Sequence, residues 1–507
     1  MPMQDATGFD TARYLREQTS AILDRVDRFG RKLYLEFGGK LLFDYHASRV
    51  LPGFDPNVKM QLLTQLKDKA EILLCIHAGA IERKKMRADF GITYDVDAMK
   101  LIDDLREWGV ELRAVVITRF EDQPGAMQFR SKLQRRDIPV YTHRPTTGYP
   151  ATVDRIVSEA GYGANPYVVT EKPLVVVTGP GPGSGKLATC LSQMYHDHRQ
   201  GIQSGYAKFE TFPIWNLPLS HPVNVAYEAA TADLDDVNMI DPFHLEAYGK
   251  TAINYNRDIE AFPVLQKILE RITGGNAVYR SPTDMGVNRA TAGIIDDTLI
   301  QQASRTEVIR RYFRYVSEYA MGLANERTVQ RARRLLELLR LTPEDLPVVV
   351  PARQAAEEAQ QQGKGNAGVF CGAAIKLKDD RIVTGKNSPL MHAASSLVIN
   401  AAKRLAKVPD EIHLLAPSIV ESVARMKKEI LGQKTVSLDL EETLIALGIS
   451  VSANPTAQLC VEKLKEFRGC DVHMTHIPTP GDEAGMRRLG VYLTSDANFA
   501  TKNLFVT

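Results

Sequence analysis

Residues 174–198 read LVVVTGPGPGSGKLATCLSQMYHDH, and this stretch decides the fold. The run 174–178 is short and almost continuously apolar, as in a parallel strand buried on both faces. Four glycines follow at alternating positions, Gly179, Gly181, Gly183 and Gly185, then Lys186, then an amphipathic helical pattern. A buried strand that runs through a glycine turn into a helix is the repeating unit of a parallel α/β sheet.

The flanking sequence repeats the rhythm. Short apolar runs at 32–37 (KLYLEF), 71–77 (EILLCIH), 112–118 (LRAVVIT) and 140–143 predict further strands. Helical spacing recurs at 10–28, where Leu15, Ile22, Leu23 and Val26 share a face, at 95–108 before the stop Gly109, and at 130–136. A strand is also expected at 40–45 after Gly38-Gly39, and a helix start at Asp55-Pro56. The fold class is therefore α/β, beginning with a Rossmann-like parallel-sheet domain.

From 294 to 341 the chain becomes charged and helical, and its arginine runs read as solvated faces. Residues 355–365 (AAEEAQQQGKG) read as a polar linker. Beyond it a hairpin is expected at 373–377 and 381–384, then a helix at 392–406 and a strand at 411–416. Helices at 419–430 and 438–448 and a late strand at 491–494 follow. This divides the chain into an α/β domain at 1–262, a mainly helical domain at 263–346 and a second α/β domain at 347–507.

With 507 residues the chain has room for two to four domains at about 150 residues each. Its 44% hydrophobic and 24% charged fractions suit a soluble globular protein. Sixty-three Lys and Arg against 61 Asp and Glu leave a formal charge of +2, which argues against a dedicated nucleic-acid binder. No apolar run approaches the roughly 18–20 residues of a membrane span, and the polar start lacks the pattern of a signal peptide. Five scattered cysteines with no CxxC pair predict reduced thiols, a cytoplasmic location and no zinc site.

The glycine loop is the leading chemical candidate. Glycine lets the backbone approach an anion, and the helix behind it offers free N–H groups and the positive end of its dipole. Gly179, Gly181, Gly183, Ser184, Gly185 and Lys186 are the expected cofactor-binding residues, for a nucleotide or other phosphorylated molecule, with or without magnesium. The match to the loop of nucleoside-triphosphate enzymes is imperfect. Gly179 stands one residue too far from Gly185, Pro180 and Pro182 lack N–H groups, and Leu187 occupies the place of the magnesium-binding Ser or Thr. A dinucleotide fingerprint fits no better, since Ser184 takes the place of its third glycine. A tight turn without a ligand is the alternative.

Residues 209–256 are rich in acids, histidines and aromatics. Asp236 and Asp241 are candidates for holding magnesium or orienting an acceptor, with His221 as a phosphate contact and Lys186 as the charge that stabilises a transferring group. Asp241-Pro242 is equally a good helix start. His196 and His198 point to different helix faces, and His473 and His476 lack a partner in sequence, so structural roles are expected of all four. The turn 281–286 (SPTDMG) could cover a pocket.

Residues 366–430 resemble the zinc-dependent nucleoside deaminases in layout. His392 matches the histidine ligand of that family, but Ala394 stands where the proton-shuttling Glu belongs, and Pro417-Ser418-Ile419-Val420-Glu421 replaces Pro-Cys-x-x-Cys. The resemblance implies the fold of a cytidine-deaminase-like domain without metal or deamination. Across almost its whole length the chain also resembles the uncharacterised bacterial family called domain of unknown function 1846. That likeness rests on KLYLEFGGKLLFDYHASRVLPGFDPNVK, TGPGPGSGKLATCLSQMYHDH and ADLDDVNMIDPFHLEAYG. It implies a bacterial cytosolic protein of three parts and supplies no catalytic residues. Two functions remain open: an enzyme such as a phosphotransferase or ligase, or a non-catalytic ligand sensor or scaffold; in either case a homo-oligomer is expected, and charged helices such as 305–341 suit a subunit interface or a solvent face.

Overall fold

A computed structural model describes residues 7–30, 32–87, 91–275 and 278–501. Part of the polar start and the last residues of the C-terminal domain lie outside the described residues. The described chain forms two compact units, one of residues 7–228 with 236–303, the other of 229–235 with 304–501.

The first unit is built on a seven-stranded sheet. Its strands are β1 (Leu33–Phe37), β2 (Ala70–His77), β3 (Leu112–Thr118), β4 (Val140–His143), β5 (Leu174–Thr178), β6 (Gly205–Phe209) and β7 (Gly286–Val287). They lie in the order β7–β6–β1–β5–β2–β3–β4, every neighbouring pair parallel. Residues of β2 and β5 are buried almost throughout, as their apolar runs require. Helix α1 (Thr11–Arg28) opens on Asp10, whose side chain accepts the Arg13 amide at 2.9 Å. Helix α2 (Tyr94–Glu107) ends before Gly109, which takes a φ of 68°. Helix α3 (Lys186–Arg199) follows the glycine loop.

No strand forms at 40–45. The ammonium of Lys59 is buried there and donates to the Gly38 and Lys40 carbonyls, at 3.1 and 3.0 Å, and to Asp44 Oδ2 at 3.1 Å. With its carbonyls drawn to one cation the chain turns, and Asp44 caps a short helix, Tyr45–Val50. Burial opposes the charge on Asp44, but Lys59 above all, with Lys40 and His46, holds its carboxyl below the ordinary range.

The second unit carries a four-stranded mixed sheet: β8 (Gly372–Lys376), β9 (Ile382–Lys386), β10 (Asp471–Met474) and β11 (Tyr492–Ser495), in the order β9–β8–β10–β11. β8 and β9 form the expected hairpin. Three expectations fail in this unit. Residues 411–416 form no strand, because Asn454 donates to the carbonyls of His413 and Leu414 at 3.2 and 3.4 Å while Leu414 and Leu415 turn into the core. The expected linker at 355–365 is largely helix (Val349–Gln361), with Ala352, Ala355 and Ala359 facing inward, so its Ala, Glu and Gln act as helix formers. The arginine-rich helix Asp297–Ala320 is not merely a solvated face. Arg310 binds Asp471 through two hydrogen bonds of 2.7 and 3.0 Å and lies over the Tyr492 ring at 4.4 Å.

A second, partly exposed ion pair joins Arg353 to Asp496 at 2.8 and 3.0 Å, with the His473 imidazole 3.5 Å from the same carboxylate. Burial works against the charged form of Asp496, but His473 and Arg353 outweigh it and hold its pKa at about 2. The unfolded carboxyl titrates near about 3.9, so this contribution to stability is complete above that pH and is lost as pH falls toward 2. Arg353→Ala should therefore move the acid-unfolding midpoint of the full chain upward, read by far-ultraviolet circular dichroism. An unchanged midpoint would show that the pair contributes nothing.

Candidate active site at the carboxyl edge of the parallel sheet

The strand order creates two places where neighbouring connections part company. The chain leaves β5 toward β6 but leaves β2 toward β3, on the opposite side. It likewise leaves β1 toward β2 and β6 toward β7. Open α/β sheets take their ligands at such switch points, beyond the carboxyl ends of the strands.

The glycine loop stands at the first of them. Gly183 and Gly185 adopt φ of 74° and 88°, a backbone region that other residues enter only with strain. A Cβ on Gly185 would lie 2.7 Å from the Thr118 side chain. Ser184 donates its hydroxyl to the Gly181 carbonyl at 2.5 Å, and Thr118 donates to the Ser184 carbonyl at 2.8 Å. These contacts fix the loop from inside. Its N–H groups are left over: those of Gly181, Gly183, Ser184, Gly185, Lys186, Leu187 and Ala188 donate no hydrogen bond to any described residue. Thr178, at the end of β5, is fully buried and its hydroxyl has no partner.

Lys186 completes the picture. Its side chain is only 10% exposed, and its ammonium lies 4.0 Å from Glu36 Oε1, a separation beyond hydrogen-bond reach. It donates no hydrogen bond to a described residue. The buried lysines differ. Lys59 makes three hydrogen bonds, Lys32 meets Asp197 at 2.9 Å, and Lys427 meets Ser437 and Glu442, both at 2.7 Å. Glu36 is fixed in turn by the Tyr206 hydroxyl, which donates to its Oε2 at 2.9 Å.

Charged groups of both signs surround the loop, with cations gathered near His77. His77 ends β2, across the switch point from the loop, and accepts the Gly79 amide at 2.8 Å. Burial lowers its pKa, and the charges of Arg119, Arg83 and Lys85 lower it further. Beside Gly179 and Pro180 a cleft is lined by Lys40, Phe43, Asp97, Lys100 and Asp104, the last two paired at 2.7 Å.

The other expected site residues are placed elsewhere in the network. Asp241 caps the helix Pro242–Tyr248: its Oδ1 accepts the His244 amide at 3.0 Å, and its Oδ2 accepts the Thr283 hydroxyl at 2.6 Å. The turn 281–286 is thus tied to Asp241. Asp236 pairs with Arg257 at 3.1 Å, and His221 with Asp297 at 3.0 Å. His196 and His198 bind the carbonyls of Asn165 and Ser204, at 2.8 and 3.0 Å. Thr189 donates to the Gly185 carbonyl at 3.1 Å, so its hydroxyl serves the helix. Among the described residues no three His, Cys, Asp or Glu side chains converge to hold a metal ion.

Sequence reading missed the groups that do meet Lys186. Besides Glu36, the second switch point holds Lys208 on β6, which pairs with Glu210 at 3.0 Å and with Asp258. Burial raises the pKa of Glu210, Lys208 opposes that shift, and Asp258 adds to it. The available signal was charge inside apolar runs: Glu36 in KLYLEF and Lys208 in YAKFETF.

In the second unit His392 caps the helix Ala393–Ala406 and meets Asp482 through Nδ1 at 2.8 Å. Asp482 also accepts the Leu440 amide at 3.0 Å and the Thr479 hydroxyl at 2.8 Å.

Fold and edge together define an open parallel α/β protein with a glycine turn at its switch point, joined to a second unit with a mixed sheet. The chain belongs to the family described as domain of unknown function DUF1846: residues 7–340 match its N-terminal model and 344–505 its C-terminal model. It is 52% identical to a UPF0371 protein of Clostridium tetani (strain Massachusetts / E88) over 498 residues, 98% of this chain and 99% of that one. It is 53% identical over 499 residues to a UPF0371 protein of Clostridium botulinum (strain Kyoto / Type A2), with 98% and 99% covered. No described helix is long and apolar enough to cross a membrane.

The contrast between the two lysines gives a stability test. Lys59→Met strands Asp44 among buried groups and should cost about 3 kcal/mol. Lys186→Met removes an ammonium that donates no hydrogen bond and should change stability by less than about 1 kcal/mol. Urea unfolding of both variants checks this, and equal losses would contradict the assignment.

Proposed function

We propose that this chain binds a phosphorylated small molecule, a nucleotide or a phosphorylated metabolite, on the loop Gly179, Gly181, Gly183, Ser184, Gly185 and Lys186. The observation that carries the reading is a surplus of donors. Seven backbone N–H groups and one half-buried ammonium lie at one turn without hydrogen-bond acceptors from the described protein. Consecutive free amides at a helix N-terminus favour an anion, and phosphate oxygens match their number and charge. The cationic groups around His77 add a field of the same sign.

Binding without transfer is the second reading, and one observation favours it. Leu187 packs against the core beneath the loop and Thr189 is tied to Gly185, so no hydroxyl follows the lysine to hold magnesium. An enzyme of the phosphotransferase or ligase kind would draw its acids from Glu36 and its neighbours rather than from Asp236 or Asp241. We read the second unit as a deaminase-like layer without metal, its hairpin followed by the helix that His392 caps.

Thermal shift with nucleotides, sugar phosphates and inorganic phosphate, with and without magnesium, tests the proposal. A ligand at about 100 times its Kd should stabilise the protein by roughly 2.7 kcal/mol, and Lys186→Met should abolish the shift. No shift with any phosphorylated compound would refute it. The His77 imidazole gives an independent readout: a bound anion offsets the neighbouring cations, so its pKa, followed by NMR, should rise on ligand addition. A fixed or falling pKa would place the anion elsewhere.

A further inference from the structure

We infer that Glu36 selects the ligand: the site takes a phosphate ester that carries a hydroxyl close to its phosphate, of the phosphorylated polyol or sugar class, in preference to a bare or alkyl phosphate. This rests on the anion reading above and extends it from the phosphate to the rest of the molecule.

The argument starts from the unequal commitment of the two Glu36 oxygens. Oε2 accepts the Tyr206 hydroxyl at 2.9 Å, which fixes the carboxylate plane. Oε1 faces Lys186 at 4.0 Å and accepts no hydrogen bond from a described residue. The Glu36 side chain is 13% exposed, and Oε1 keeps some contact with water. A ligand that shuts out that water gains when it supplies a donor in its place and loses when it leaves the carboxylate oxygen unmet. The loop amides and Lys186 can only donate, whereas Glu36 as a carboxylate can only accept. The ligand that satisfies both therefore presents acceptors to the loop and a donor to Glu36, within one small molecule.

An alkyl phosphate has no hydroxyl beside its ester, and inorganic phosphate can meet Glu36 only through a P–OH that brings the phosphate's own charge against the carboxylate. A hydroxyl one or two carbons from the ester oxygen supplies the donor. Lys208 reinforces the preference from behind. It is held by Glu210 at 3.0 Å and by Asp258, so it stays beside those acids and is not released to a second anion. Glu36 is in this sense a specificity residue. It also restrains Lys186 in the free protein, because the two charges are each other's nearest opposite partner at that edge.

Matched ligands test this on the full chain. Glycerol 3-phosphate and erythritol 4-phosphate carry the hydroxyl; n-propyl phosphate does not. By isothermal titration the wild type should bind the hydroxylated esters at least about tenfold more tightly than propyl phosphate. Glu36→Ala should reduce that ratio to within about twofold, with propyl phosphate bound as tightly as before or more tightly, because Lys186 is released. Glu36→Gln keeps an acceptor oxygen and should retain most of the preference, which guards against loss of folding in the alanine variant. Equal affinities in the wild type, or a preference that survives Glu36→Ala, would overturn the inference while leaving the anion site standing. Failure of all three esters to bind, or full binding by Lys186→Met, would remove the anion site and the inference with it.

Discussion

A half-buried ammonium that donates no hydrogen bond to the protein is an uncomfortable group, and the edge of the first unit is organised around one. Lys186 lies beside a single carboxylate, that of Glu36, at 4.0 Å. Taking a cation out of water is costly, and one distant partner recovers only part of that cost. The protein pairs its buried lysines closely, Lys59 with three acceptors and Lys427 with two. The exception lies at a turn where backbone donors are also left over.

The rest of the fold keeps that exception in place. Parallel strands with crossing connections put the turn at a switch point. Thr118 reaches from β3 to hold the Ser184 carbonyl, so the loop does not collapse onto its own amides. Lys59 gathers the chain after β1 and lets Glu36, one residue before the end of that strand, stand at the edge. Tyr206 on β6 then fixes the Glu36 carboxylate from the other side. Strands remote in sequence thus supply one group each to a small area.

Much of the fold was legible because its strands are continuously apolar. β2, β3 and β5 follow from EILLCIH, LRAVVIT and LVVVT, and the loop follows from its glycines. The failures have physical causes. β6 (GYAKF) carries Lys208, whose charge hides the strand until its partners Glu210 and Asp258 are seen. Residues 411–416 have the composition of a strand, but their carbonyls are taken by Asn454, some forty positions away. Asp241 was readable as a helix cap from Asp-Pro, whereas its bond to Thr283 depends on the folded chain. Glu36 was least legible of all, since a lone acid in an apolar run reads as an outward-facing residue.

The central claim is that the amides of the glycine turn are anion donors. Selective 15N labelling of glycine reads them directly, through the amide signals of Gly181, Gly183 and Gly185. Titration with a phosphorylated ligand should move these three downfield in a saturable manner, while Gly109 and Gly249, at the ends of other helices, stay fixed. Signals that remain unmoved at millimolar ligand, or shifts spread evenly over all glycines, would contradict the account.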